Sequence, residues 1–106
     1  MSIQVMTLTY EVEAGDLALF RAAVMKQAAN SLDREAGCMR FEVSFGIDRA
    51  TRCFVYAVFE NGEALDQHLA SDHFHMFEEL ARPWIITRIE QTWELAAAPR
   101  RSGIAS

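Results

Sequence analysis

Residues 38–60 read CMRFEVSFGIDRATRCFVYAVFE. Met39, Phe41, Val43, Phe45 and Ile47 alternate with Cys38, Arg40, Glu42, Ser44 and Gly46. A period of two marks a strand with one covered face. DRATR, 48–52, supplies the turn. CFVYAVFE, 53–60, is apolar on both faces until Glu60, so this strand needs cover on both sides. In the resulting hairpin Cys53 sits beside the turn and Cys38 at the far end. At roughly 3.3 Å per residue they are too distant to bridge. They read as two buried thiols of a reducing compartment.

Working outward, residues 3–12 (IQVMTLTYEV) also alternate. Met6, Leu8, Tyr10 and Val12 share one face; Ile3, Val5, Thr7 and Thr9 share the other. From Leu17 to about Glu35 the period changes. Leu17, Phe20, Val24, Ala28 and Leu32 recur every three or four residues, which predicts a helix that Gly37 ends. After Asn61-Gly62, the residues Ala64, Leu65, His68 and Leu69 share a helical face. Ser71-Asp72 interrupts it, and a second short helix carries Phe74, Phe77 and Leu80 inward until Pro83. IITRIEQTWEL, 85–95, alternates again, with Ile85, Thr87, Ile89 and Trp93 on one side and Arg88 and Glu90 on the other. The last eleven residues show no period. The domain is therefore expected over 1–97, with a disordered tail over 98–106.

The order β-α-β-β-α-β predicts an α+β, ferredoxin-like layer: an antiparallel sheet with its helices on one face. The other face is also apolar. A homodimer with facing sheets, a dimeric α/β barrel, would cover it; a monomer with a shallow apolar groove is the other arrangement. The 106 residues suffice for one domain, and a net charge of −5 with no basic cluster argues against nucleic acid. The N-terminus reads as a strand rather than a signal peptide, and no apolar run approaches the ~18 residues of a membrane span. The expected location is cytoplasmic. There is no glycine-rich phosphate loop, nucleophile elbow, or flavin or nicotinamide fingerprint.

EAGCMRFEV at 35–43 and FVYAVFENGEALDQHLASDHF at 54–74, with this element order, resemble the antibiotic biosynthesis monooxygenase family, which includes quinol monooxygenases. The resemblance covers about residues 3–95. Ala36 stands where proline is common, and Ala57 where a strand glutamate is expected. The resemblance implies a ferredoxin-like protomer, a homodimer and a cavity between sheet and helices. It implies oxidation of a small quinol or phenol by dioxygen without metal or flavin. Noncatalytic binding or stress-related barrels, haem degradation and sugar-phosphate isomerisation also occur on the fold.

All three histidines fall within HLASDHFHMF, 68–77. A metal site wants ligands converging from one face. His68 and His73 are five apart across a break, and His73 and His75 diverge by about 200° on a helix, so no metal is assigned. His68 and His73 are the candidate catalytic bases, since imidazole titrates near neutral pH. His75 is expected to be solvated. Triplet dioxygen reacts poorly with closed-shell carbon, whereas a phenolate can donate an electron. Such a site needs a base, oxyanion donors and apolar walls. Candidate substrate contacts are Tyr56, Met39, Phe41, Phe74, Phe77, Trp84 and Arg88, with Val43, Phe54 and Val58 as further wall residues. Core packing is the other explanation for each apolar one and the better explanation for most, and a surface ion pair with Glu90 or Glu94 explains Arg88. No cofactor is expected.

Overall fold

The computed structural model describes residues 2–97. The expected disordered tail, 98–106, lies outside them. The elements are β1 (Gln4–Val12), α1 (Leu17–Arg34), β2 (Cys38–Phe45), β3 (Arg52–Phe59), α2 (Gly62–Leu69), α3 (Asp72–Ala81) and β4 (Ile85–Glu94). Single 3-10 turns at Ala14–Asp16 and Arg82–Trp84 lead into α1 and β4. The sheet order is β2-β3-β1-β4, with all neighbours antiparallel. This is the α+β, ferredoxin-like arrangement the sequence predicts.

Met6, Leu8, Tyr10 and Val12 face the helices beside Cys53, Val55 and Ala57 of β3. Val5, Thr7 and Thr9 occupy the open face beside Val58, Tyr56 and Phe54. Three details depart from the sequence pattern. The β2–β3 register shifts between Cys38 and Arg40, so Met39 is an extra, unpaired residue. That bulge puts Cys38 on the covered face and leaves Met39 52% exposed. A second shift between Glu11 and Val12 skips Ile86 and returns Ile85 to the core side, away from Ile89 and Trp93. On the helices, Leu32 and Leu80 are exposed, while Ser31 and Ala81 are fully buried. Helical spacing explains this: at about 100° per residue Ser31 lies roughly 20° from Phe20, but Leu32 lies roughly 120° away. Ser31 satisfies its hydroxyl within α1, donating to the Gln27 carbonyl at 2.9 Å and accepting from Gln27 Nε2 at 3.1 Å.

The layer between sheet and helices is filled with rings. Tyr10 and Phe20 pack edge to face at 5.1 Å between centroids, and Phe77 lies 6.0 Å from Phe20. Phe59, Phe41, Phe74 and the His68 ring continue the layer toward the far end of β2. Cys38 and Cys53 are both free and buried, and burial pushes their thiols up to about 11 and about 12. They pair with Phe59 and Phe45 at opposite ends of the hairpin, as expected.

The turn from α1 into β2 touches α2 closely. A Cβ on Gly37 would stand 2.5 Å from the Ala64 Cβ, whereas one on Gly15 would meet nothing within 4 Å. Gly37→Ala is therefore expected to lower stability by about 1–3 kcal/mol in urea denaturation, as overpacking does. Gly15→Ala is the neutral comparison. Equal midpoints for the two variants would refute the close contact.

Candidate functional site

Three chain segments meet where α1 ends and α2 passes into α3. Asn61 starts α2 by accepting from the Ala64 N–H at 2.8 Å. Ser71 forms the corner: its hydroxyl donates to the His68 carbonyl at 2.7 Å and accepts from the Phe74 N–H at 3.3 Å. His68 lies in the last turn of α2 and His73 in the first turn of α3. Glu35 caps the C-terminal end of α1, its N–H bonded to the Ser31 carbonyl at 3.1 Å.

Glu35 joins the two imidazoles. His68 Nδ1 donates to its carboxylate oxygens at 2.9 and 3.1 Å, and His73 Nε2 donates to Oε2. A carboxylate only accepts, so the facing ring nitrogens carry hydrogens. The negative end of α1 disfavours a carboxylate, but the N-terminus of α3 and the two N–H groups favour it.

The two rings differ in setting. His68 is fully buried, its centroid 4.8 Å from Phe74, 5.0 Å from Phe59 and 5.8 Å from Phe41. Its Nε2 has no hydrogen-bond partner among the described residues. Burial holds its pKa below the ordinary 6.5, against the opposing pull of Glu35. His73 is only partly covered and lines a groove of about 380 Å³ between α1 and α3. Phe77, Met76 and Leu80 form the apolar wall; Lys26, Asn30 and Arg34 come from α1. With Nε2 held by Glu35, Nδ1 is the His73 nitrogen left for a substrate proton.

The cluster gathers His68, His73, Phe41 and Phe74, and Phe77 lies beside it in the groove. The other candidates lie elsewhere. Tyr56, Phe54 and Val58 are on the open face of the sheet. Met39 is on the bulge, and Val43 and Trp84 pack against the core. Arg88 is on the helix side of β4, paired with Glu78 at 2.7 Å and Glu90 at 2.8 Å. Glu78 also accepts from the Tyr10 hydroxyl at 2.9 Å. Burial, then the Glu78 charge, pushes the Tyr10 pKa far up. The cavity expected between sheet and helices is occupied here by the packed rings. Glu35 escaped sequence reasoning because its partners are 33 and 38 positions away. A carboxylate at the disfavoured end of a helix was the available signal.

The His68 shift has a measurable sign. Near the ordinary histidine value the unfolded chain binds a proton that the folded ring refuses. Stability is thus complete above that value and falls as pH drops through it, by at most about 1.4 kcal/mol per pH unit. Urea midpoints should fall more steeply from pH 7.5 to 5.5 in the wild type than in His68→Gln. Parallel slopes would contradict this assignment.

Among curated proteins none matches the chain. Solved structures do. A protein of Nitrosomonas europaea, described provisionally as an antibiotic biosynthesis monooxygenase, superposes with a TM-score of 0.83 at 20% identity, over 90% of this chain and 91% of its own. One of Caulobacter crescentus, described in the same way, gives 0.85 at 16% identity over 91% and 92%. A Shewanella oneidensis protein gives 0.80 at 23% identity over 89% and 91%. At such identities the likeness concerns the fold. The family model for antibiotic biosynthesis monooxygenases matches residues 3–80, which span β1 through most of α3. The chain belongs to the antibiotic biosynthesis monooxygenase family.

Proposed function

We propose that the protein is a cofactor-independent monooxygenase that oxidises a small quinol or phenol with dioxygen, using His73 as base. One observation carries the reading: the His73 ring is fixed by the Glu35 carboxylate at the edge of a mainly apolar groove. The groove volume of about 380 Å³ suits a one- or two-ring aromatic. His73 Nδ1 takes the phenolic proton, and Glu35 steadies the imidazolium through Nε2. Phe77 and Met76 provide the apolar contact, and Lys26 and Arg34 supply positive charge near the phenolate. The phenolate gives one electron to dioxygen, and the radical pair joins at the ring carbon. The resulting hydroperoxide loses water to give the quinone. One oxygen atom stays on carbon; the other leaves as water with the phenolic proton and the ring hydrogen. The substrate supplies all the electrons.

The working unit is a homodimer in this reading. Phe54, Ile89 and Trp93 are 42–55% exposed on the open face. They adjoin the covered Val5 and Val58. Apolar side chains in that number on one sheet face favour a second sheet against them. A cytoplasmic setting fits the free cysteines, and no helix of the described residues is long and apolar enough to cross a membrane. Noncatalytic binding of a small aromatic is the second reading, favoured by the filled layer between sheet and helices.

Oxygen uptake with a panel of quinols and phenols separates the two. The expected result is uptake with quinone formation, slowed about 10²- to 10⁴-fold in His73→Ala. Ligand binding with no oxygen uptake selects the noncatalytic reading. Wild-type turnover in His73→Ala removes His73 as the base. Light scattering should report twice the 12.0 kDa chain mass, and Trp93→Glu should shift it toward one. A wild-type monomer at micromolar concentration would refute the dimer.

A further inference from the structure

The three histidines alone make no metal site: His75 is exposed and lies outside the cluster of Glu35, His68 and His73. Glu35 takes its place. His68 Nδ1, His73 Nε2 and a Glu35 carboxylate oxygen all lie within 4.8 Å of one another. His68 Nδ1 lies 3.1 and 2.9 Å from the two carboxylate oxygens of Glu35. Donors held by one ion at about 2.0–2.2 Å stand about 3–3.5 Å apart, which the His68–Glu35 spacing already approaches, whereas His73 has to draw back from Glu35 to admit the ion. We infer that Glu35, His68 and His73 form a binding site for one divalent transition-metal ion, with its remaining positions open toward the groove between α1 and α3.

A second observation points to such a ligand. Without an ion, His68 gives its Nδ1 hydrogen to Glu35, and Nε2 is left as a bare lone pair. That atom is fully buried and has no partner among the described residues, and its ring packs against those of Phe41, Phe59 and Phe74. A lone pair gains nothing from aromatic neighbours, whereas an N–H gains a weak attraction to them. An ion at Nδ1 takes the lone pair there and obliges Nε2 to carry the hydrogen. The surroundings of His68 therefore suit the metal-bound tautomer better than the free one. Glu35 in turn exchanges two shared hydrogens for one cation. Packing fixes His68, and Ser71 fixes the corner between α2 and α3, so two of the three donors are held in place before an ion arrives.

Two imidazoles and one carboxylate are the donors of zinc, cobalt, nickel and ferrous ions. Magnesium and calcium prefer oxygen alone. The site goes beyond the oxidation proposed above: that reaction belongs to the metal-free protein, and a bound ion competes with the substrate proton for His73. With an ion on Nε2, His73 keeps a hydrogen on Nδ1 and cannot act as base.

The test is a titration of the chelator-treated full chain with cobalt(II) in a noncoordinating buffer, followed by visible absorption and thermal melting. The expected result is ligand-field bands that saturate at one equivalent, a raised melting temperature, and bands that persist in excess magnesium. Glu35→Gln and His73→Asn should each weaken binding more than about tenfold, and His75→Asn should bind like wild type. Circular dichroism checks that each variant is folded, and the near-isosteric Glu35→Gln decides the matter where His73→Asn does not fold. Absence of saturable bands overturns the site. So do bands unchanged in Glu35→Gln, loss of bands in His75→Asn, or displacement of cobalt by magnesium. Oxygen uptake by the metal-free protein is scored separately, so failure of the metal site and failure of the oxidase reading remain distinct.

Discussion

A single carboxylate ties together three helix ends. Glu35 closes α1, His68 lies in the last turn of α2 and His73 in the first turn of α3. Each group is awkward alone. A carboxylate at a helix C-terminus meets the negative end of the dipole, and a fully buried imidazole loses its water. Together they satisfy one another, because two N–H donors reach one acceptor group. Removing Glu35 would leave a buried donor on His68 unpaired, at a cost of about 1–3 kcal/mol. The same contact holds His73 where it lines the groove between α1 and α3.

The core explains why that junction can be placed so firmly. Phe41, Phe59 and Phe74 are buried, and His68 sits among them as one more ring. Close-packed interiors leave little freedom for such a ring to turn. The orientation of His68 toward Glu35 thus follows from apolar packing on one side and a single acceptor on the other. His73, at the surface of the same junction, has the acceptor without the packing. One imidazole is positioned as a structural element, and the other faces the groove, where a ligand can reach it.

Much of this was legible in the sequence. Alternation in β1 and β2, the run of β3 that is apolar on both faces, and the three-to-four spacing of Phe20, Val24 and Ala28 gave the element order and the sheet topology. The errors in the strands share one origin, the loss of phase. The bulge at Met39 exchanged the faces of Met39 and Cys38, and the shift near Val12 moved Ile85 to the core side. Neither bulge leaves a mark in hydrophobic periodicity, because an extra residue only delays the pattern. On α1 and α3, exposed Leu32 and Leu80 looked like core because residue type outweighed angle. His68 and His73 were legible as a pair because they are near in sequence. Glu35 was not, because its role depends on a contact made only when the chain folds back across β2 and β3.

Glu35 holds both rings at once, and long-range proton–nitrogen correlation spectra of the metal-free protein read this out at each ring nitrogen. The expected spectra show hydrogen on Nδ1 of His68 and on Nε2 of His73, with both patterns altered together in Glu35→Gln. Two rings averaging freely between tautomers, or a response confined to one of them, would contradict the shared contact.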